Sequence, residues 1–123
     1  MVKERNNSYR SLIVWQKSME LVKTVYKITN TFPQEELFGL TSQIKRSVIS
    51  IPSNIAEGKG RQTNKEFVQF LYIALGSLYE LQTQMELAYE LDFIDRIEDV
   101  ENLMIEIEKM LNALIKTKRH SNE

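Results

Sequence analysis

The chain contains no cysteine, which removes disulfides, thiolate metal sites and a cysteine nucleophile together. Glycine and proline are scarce, 4 and 2 in 123 residues, too few for the many turns of a β-sandwich or barrel. Histidine occurs once, as His120 in a polar stretch, so no Ser-His-Asp set can be assembled around it. The Glu-x-x-His pairs of di-iron bundles are missing, as is the Cys and His clustering of a structural zinc site. Gly58-Lys59-Gly60-Arg61 is too short for a phosphate-cradling loop and follows a helical pattern rather than a strand. No apolar run approaches membrane-spanning length, and residues 1–7 lack the apolar core of a signal peptide. The expectation is a soluble, cytoplasmic protein without cofactor, metal or membrane partner, and not an enzyme.

What is present is globular in kind: 42% hydrophobic and 27% charged residues, in a length suited to one domain with one core. Net charge is −1, but it is unevenly spread. Residues 1–65 hold 11 Lys and Arg against 5 Asp and Glu; residues 66–123 hold 5 against 12. Such a split reads either as a basic binding arm or as two halves that attract each other within one fold or between subunits.

Residues 1–10 are polar and aperiodic, a candidate N-terminal tail, and residues 120–123 end the chain similarly. Between them, residues 11–119 read as one helical domain. Trp15, Met19, Val22, Tyr26 and Thr29 step by three and four along a first helix, with a second stripe of Val14, Leu21, Val25, Ile28 and Phe32. Phe32-Pro33 ends it. Pro33 suits the first position of a second helix, with Glu35 and Glu36 at the positive end of its dipole and Leu37, Leu40, Ile44, Val48, Ile51 and Ile55 inward. Pro52 predicts a bend near 48–52, and Gly58 and Gly60 a stop. Thr63 and Glu66 form a capping box for a third helix through Phe67, Phe70 or Leu71, Ala74, Leu78, Leu81, Met85 and Ala88. Gly76 in its middle predicts a close helix approach. Asp95 is placed to cap a fourth helix with a seam of Ile97, Val100, Met104, Ile107, Leu111 and Leu114, acidic early and basic late. Four helices with short connections make an up-down-up-down antiparallel four-helix bundle, an all-α fold.

Three surface features carry functional expectations. On the second helix, Gln43, Arg46, Ser50, Asn54 and Glu57 form a polar stripe beside the apolar one. Folding the third helix back predicts an internal or inter-subunit network of Arg46, Asn54, Glu57 and Glu80, the alternative being a solvated face. Lys45, Lys59, Arg61 and Lys65, with Arg46 and joined by Lys3, Arg5 and Arg10, are candidate phosphate contacts; no interleaved aromatic set or recognition helix accompanies them. Finally, Tyr72, Leu75 and Tyr79, with Val14, Leu21 and Val25, exceed one seam per helix. Self-association or a thicker core accounts for the surplus.

Val14-Trp15-Gln16, Phe32-Pro33 with Glu36 and Gly39-Leu40, Ser50-Ile51-Pro52-Ser53-Asn54-Ile55-Ala56-Glu57-Gly58, Arg61, and Ala74-Leu75-Gly76-Ser77 with Glu80 resemble a known family. It is the four-helix-bundle proteins encoded in intervening sequences of bacterial 23S rRNA genes, also labelled S23 ribosomal protein, and the likeness runs over about residues 9–95. The resemblance implies a bundle assembling into a ring, usually a homopentamer. It also implies a kinship of architecture with the accessory variability determinant of diversity-generating retroelements, whose basic ring engages nucleic acid and a reverse transcriptase. This chain departs from a basic ring in its pI of about 5.9 and its acidic fourth helix. The function expected is a non-enzymatic oligomeric binding or scaffold protein associated with rRNA or an RNA-binding partner; the alternative is a protein-interaction module without nucleic-acid contact.

Overall fold

Apolar residues recurring every three or four positions give each segment one side that must leave water, and four such sides close around a common core. The computed structural model describes residues 8–121. In it α1 (Ile13–Thr29), α2 (Leu40–Lys59), α3 (Asn64–Glu90) and α4 (Glu98–Arg119) form an all-α four-helix bundle. Each helix packs on its chain neighbours, and α1 closes the square against α4. Leu21, Ile44, Ile51, Leu71, Leu78, Met85, Ile107 and Leu111 are wholly buried at its centre. Each such side chain contributes about 1.5–3 kcal/mol relative to an exposed one. No helix among the described residues is long and apolar enough to cross a membrane.

The buried line of α1 is Val14, Ser18, Leu21, Val25 and Thr29. Val14, Leu21 and Val25 therefore fill the core and are not the surplus expected of them. Ser18 and Thr29 interrupt the line but satisfy themselves, Ser18 Oγ donating to the Val14 carbonyl at 2.7 Å and Thr29 Oγ1 to Tyr26 at 3.0 Å. Trp15, Met19, Val22 and Tyr26 lie half-buried on the flank. Ahead of α1, Ser8 caps a 3-10 turn at Tyr9–Ser11, and Tyr9 meets Trp15 edge-on at 5.2 Å. The rest of the candidate tail, residues 1–7 with Lys3 and Arg5, lies outside the described residues, as do residues 122–123.

The second helix begins later than the position of Pro33 predicts. Pro33 precedes a 3-10 turn, Gln34–Glu36, and Gly39 (φ −109°, ψ −113°) breaks the backbone before Leu40. The Glu36 carboxylate accepts from the Leu40 N–H at 3.3 Å. Leu37 is consequently exposed, not inward, and Phe38 is 92% exposed. α2 then passes unbroken through a buried Pro52.

Gly58 is the close-approach glycine of this fold, a role the sequence pattern gave to Gly76. A Cβ at Gly58 would stand 2.5 Å from Phe70 Cβ and 3.0 Å from Phe67 Cδ1. Thr63 caps α3 as expected, accepting from the Glu66 N–H at 3.1 Å. Leu71 is buried; Phe70 is half-buried.

The far end of α3 closes in a Schellman motif. The Phe93 N–H reaches the Ala88 carbonyl at 2.9 Å and the Asp92 N–H reaches Tyr89 at 3.1 Å, with Asp92 at φ 61°. Asp95 does not cap α4; Ile97 holds that position without a side-chain bond. The α4 seam ends at Ile115 while Leu114 is half-buried, because a 3.6-residue turn drifts past a strict heptad spacing.

Candidate functional site

Antiparallel order brings the start of α1, the end of α2, the start of α3 and the end of α4 to one end of the bundle. The Asn64 side-chain amide donates to the Ser121 hydroxyl there, and Leu12 and Ile13 share a groove with Leu114 and Thr117. Arg10, Lys59, Arg61, Lys65, Lys116, Lys118 and Arg119 therefore gather at this end, against Glu57 and Glu66. A groove of about 490 Å³ runs between the first turns of α3 and the last of α4, lined by Lys65, Val68, Tyr72, Lys118 and Arg119. Arg119 Nη1 donates to the Tyr72 hydroxyl at 3.2 Å. Among the described residues, Lys65 and Lys118 make no ion pair. Arg61 is engaged, bound to Glu57 at 3.0 Å and lying 4.7 Å from the centre of the Phe70 ring.

Lys59, Arg61 and Lys65, read from the sequence as candidate nucleic-acid contacts, thus lie at one end of the bundle, with Lys65 alone of the three lining the groove. Lys45 does not join them. It stands fourteen residues up α2 from Lys59, about 21 Å at the helical rise, with its Nζ 4.9 Å from the centre of the Tyr26 ring. Lys118 and Arg119 complete the groove and were not among the sequence candidates, because their sequence position suggests only the basic end of a helix. The signal that finds them is the antiparallel pairing of α3 with α4.

The family model of the 23S rRNA-intervening sequence protein matches residues 10–113. The chain belongs to this family. A Bacteroides thetaiotaomicron protein of known structure, described as a protein with unknown function from the S23 ribosomal protein family, is 32% identical. The match covers 85% of this chain and 96% of that one, with a TM-score of 0.78. No curated protein sequence matches. The family match spans the polar stripe of α2 but ends before Lys118 and Arg119, so the family pattern does not supply those two cations.

The polar stripe is built differently from the network expected of it. Ser50 and Ser77 hydroxyls meet at 2.7 Å between α2 and α3, and Asn54 Nδ2 donates to the Ser50 hydroxyl at 2.9 Å and to its carbonyl at 2.8 Å. Glu57 turns to Arg61. Arg46 and Glu80 are exposed, and no bond joins them to each other or to Asn54 among the described residues. Within one chain the four therefore do not form a network: long charged side chains on the outer faces of α2 and α3 stay in water, where an ion pair gains little. Leu75 is buried, and the exposed rings of Tyr72 and Tyr79 tie α3 to α4. Tyr79 donates to Glu108 at 3.0 Å, and desolvation followed by that carboxylate holds its hydroxyl above the usual tyrosine pKa. Among the described residues no three His, Cys, Asp or Glu side chains are grouped to hold a metal ion.

Proposed function

We propose that this chain is a non-enzymatic cytoplasmic bundle that assembles with copies of itself, in the ring its family resemblance implies, and binds RNA at its basic end. One observation carries the RNA reading: Lys65 and Lys118, which make no ion pair among the described residues, share a groove with Arg119 and the Tyr72 ring. Lys65 stands in the first turn of α3, at the positive end of the helix dipole. Its own helix disfavours a cation there, whereas a phosphate in the groove gains from both. The phosphate backbone is the ligand such a groove suits, and Tyr72 adds a ring face for an unstacked base.

Fluorescence anisotropy with a 23S rRNA fragment over a salt series tests this. Binding that weakens linearly in log salt is the expected result, with Lys65→Ala and Lys118→Ala each lowering the slope by about 1. Lys45→Ala leaves the slope unchanged. Absence of salt-dependent binding at low ionic strength removes the RNA reading. A protein partner is the second reading, supported by the 92% exposed Phe38 beside the exposed Leu37 at the opposite end.

A further inference from the structure

The outer face of α3 carries Ile73, Gly76, Glu80 and Leu87, whose steps of three, four and seven keep them in one line. Ile73 and Leu87 are 50% and 46% exposed. Gly76 has no purpose within the chain: a Cβ built there meets nothing within 4 Å. Glycine is nevertheless the poorest helix former after proline, and α3 accepts it at mid-length. Its remaining physical use is to let another backbone come close. On the neighbouring helix, Arg46 is exposed. The Ser50–Ser77 bond fixes the register of the antiparallel pair and sets Arg46 level with the turn of α3 that holds Glu80. These two opposite charges make no ion pair among the described residues.

From this combination we infer that the outer flank of α2 and α3 is where a second copy of the chain docks, with Gly76 at the closest backbone approach. The inference rests on the assembly reading above and says where the copies meet. Charge complementarity selects another copy as the occupant. A neighbour of the same sequence offers a carboxylate for Arg46 and a cation for Glu80. Copies standing level, as in a ring whose axis follows the helices, bring those two side chains to one height. The apolar pair Ile73 and Leu87 supplies the surface to be buried on either side.

Light scattering coupled to size exclusion, with far-ultraviolet circular dichroism as the fold check, tests the inference on four forms of the full chain. Wild type should have a mass above that of one chain. Gly76→Gln and Arg46→Glu should each weaken assembly at least about tenfold while keeping the helical signal, since both positions face open space in a single chain. Arg46→Glu combined with Glu80→Arg should assemble again. Wild-type assembly unaltered by Gly76→Gln and Arg46→Glu overturns this flank and leaves the assembly reading standing. A double variant that stays apart overturns the pairing of Arg46 with Glu80. A wild type that remains a single chain at high protein concentration overturns both the flank and the assembly reading.

Discussion

The two ends of the bundle are opposite in charge and in construction. Around the turn from α3 to α4, residues 86–101 hold seven carboxylates against Arg96 alone. That guanidinium bonds Glu86 and, at 3.4 Å, Glu101, and the bond to Glu86 pushes its pKa further up. Among the described residues the other end gathers seven cations against two carboxylates. The acidic end is closed by a left-handed Asp92 and by Phe32 against Phe93, ring centres 5.7 Å apart. The basic end is closed by direct helix contact at Gly58. Helix dipoles explain the charges of α4, acidic at its start and basic at its finish. They do not account for α3, whose first turn holds the cation Lys65 beside Glu66 and whose last turn holds Glu90 and no cation. The polarity therefore belongs to the ends of the molecule and not to its individual helices.

Substitutions at each end sharpen this contrast. The largest effect is expected at Gly58: alanine there forces α2 from Phe70 and Phe67, and chemical denaturation should show a loss of about 1–3 kcal/mol. At the acidic end the backbone gains instead. Asp92→Gly relieves the left-handed residue, and the same measurement should show a gain of about 0.5 kcal/mol after the added entropy of the unfolded glycine. Arg96→Gln should lower the melting temperature in low salt and have little effect in high salt, since it leaves seven carboxylates facing one another. A salt-independent loss would mean that Arg96 acts by packing over Tyr89, whose ring centre lies 4.7 Å away. The smallest effect is alkaline. Tyr79 and Tyr89 hold their protons more tightly folded than unfolded. Their contribution is therefore complete below the ordinary tyrosine pKa of 10.0 and fades as pH rises beyond it, which melting curves at rising pH would register.

Much of the fold was legible, and the misreadings share a cause. The periodicity of Ile44, Val48, Ile51 and Ile55 marks a buried line in any helix, because burial follows from repeat and apolarity alone. The capping pair Thr63 and Glu66 is likewise local. Gly58 was read only as a helix stop and Gly76 as the close-approach glycine, since the sequence says that both are glycines but not which helix of the chain stands opposite. Val14, Leu21 and Val25 looked surplus because two stripes on α1 are equally apolar, and only the position of its neighbours selects one for the core. The candidate site divided in the same way. Lys59, Arg61 and Lys65 are close in sequence and were found together. Lys118 and Arg119 arrive from another helix, while Lys45 is carried away along α2.

By itself the sequence determined four amphipathic helices, most of their boundaries and the excess of carboxylate in its second half. These follow from spacing, capping and composition, which act over a few residues. The tertiary structure alone decided that charge would separate by end instead of by half of the chain, since each end is assembled from both halves. It also decided which glycine is enclosed and which lies open. Both are consequences of antiparallel packing, which joins residues that no local rule relates.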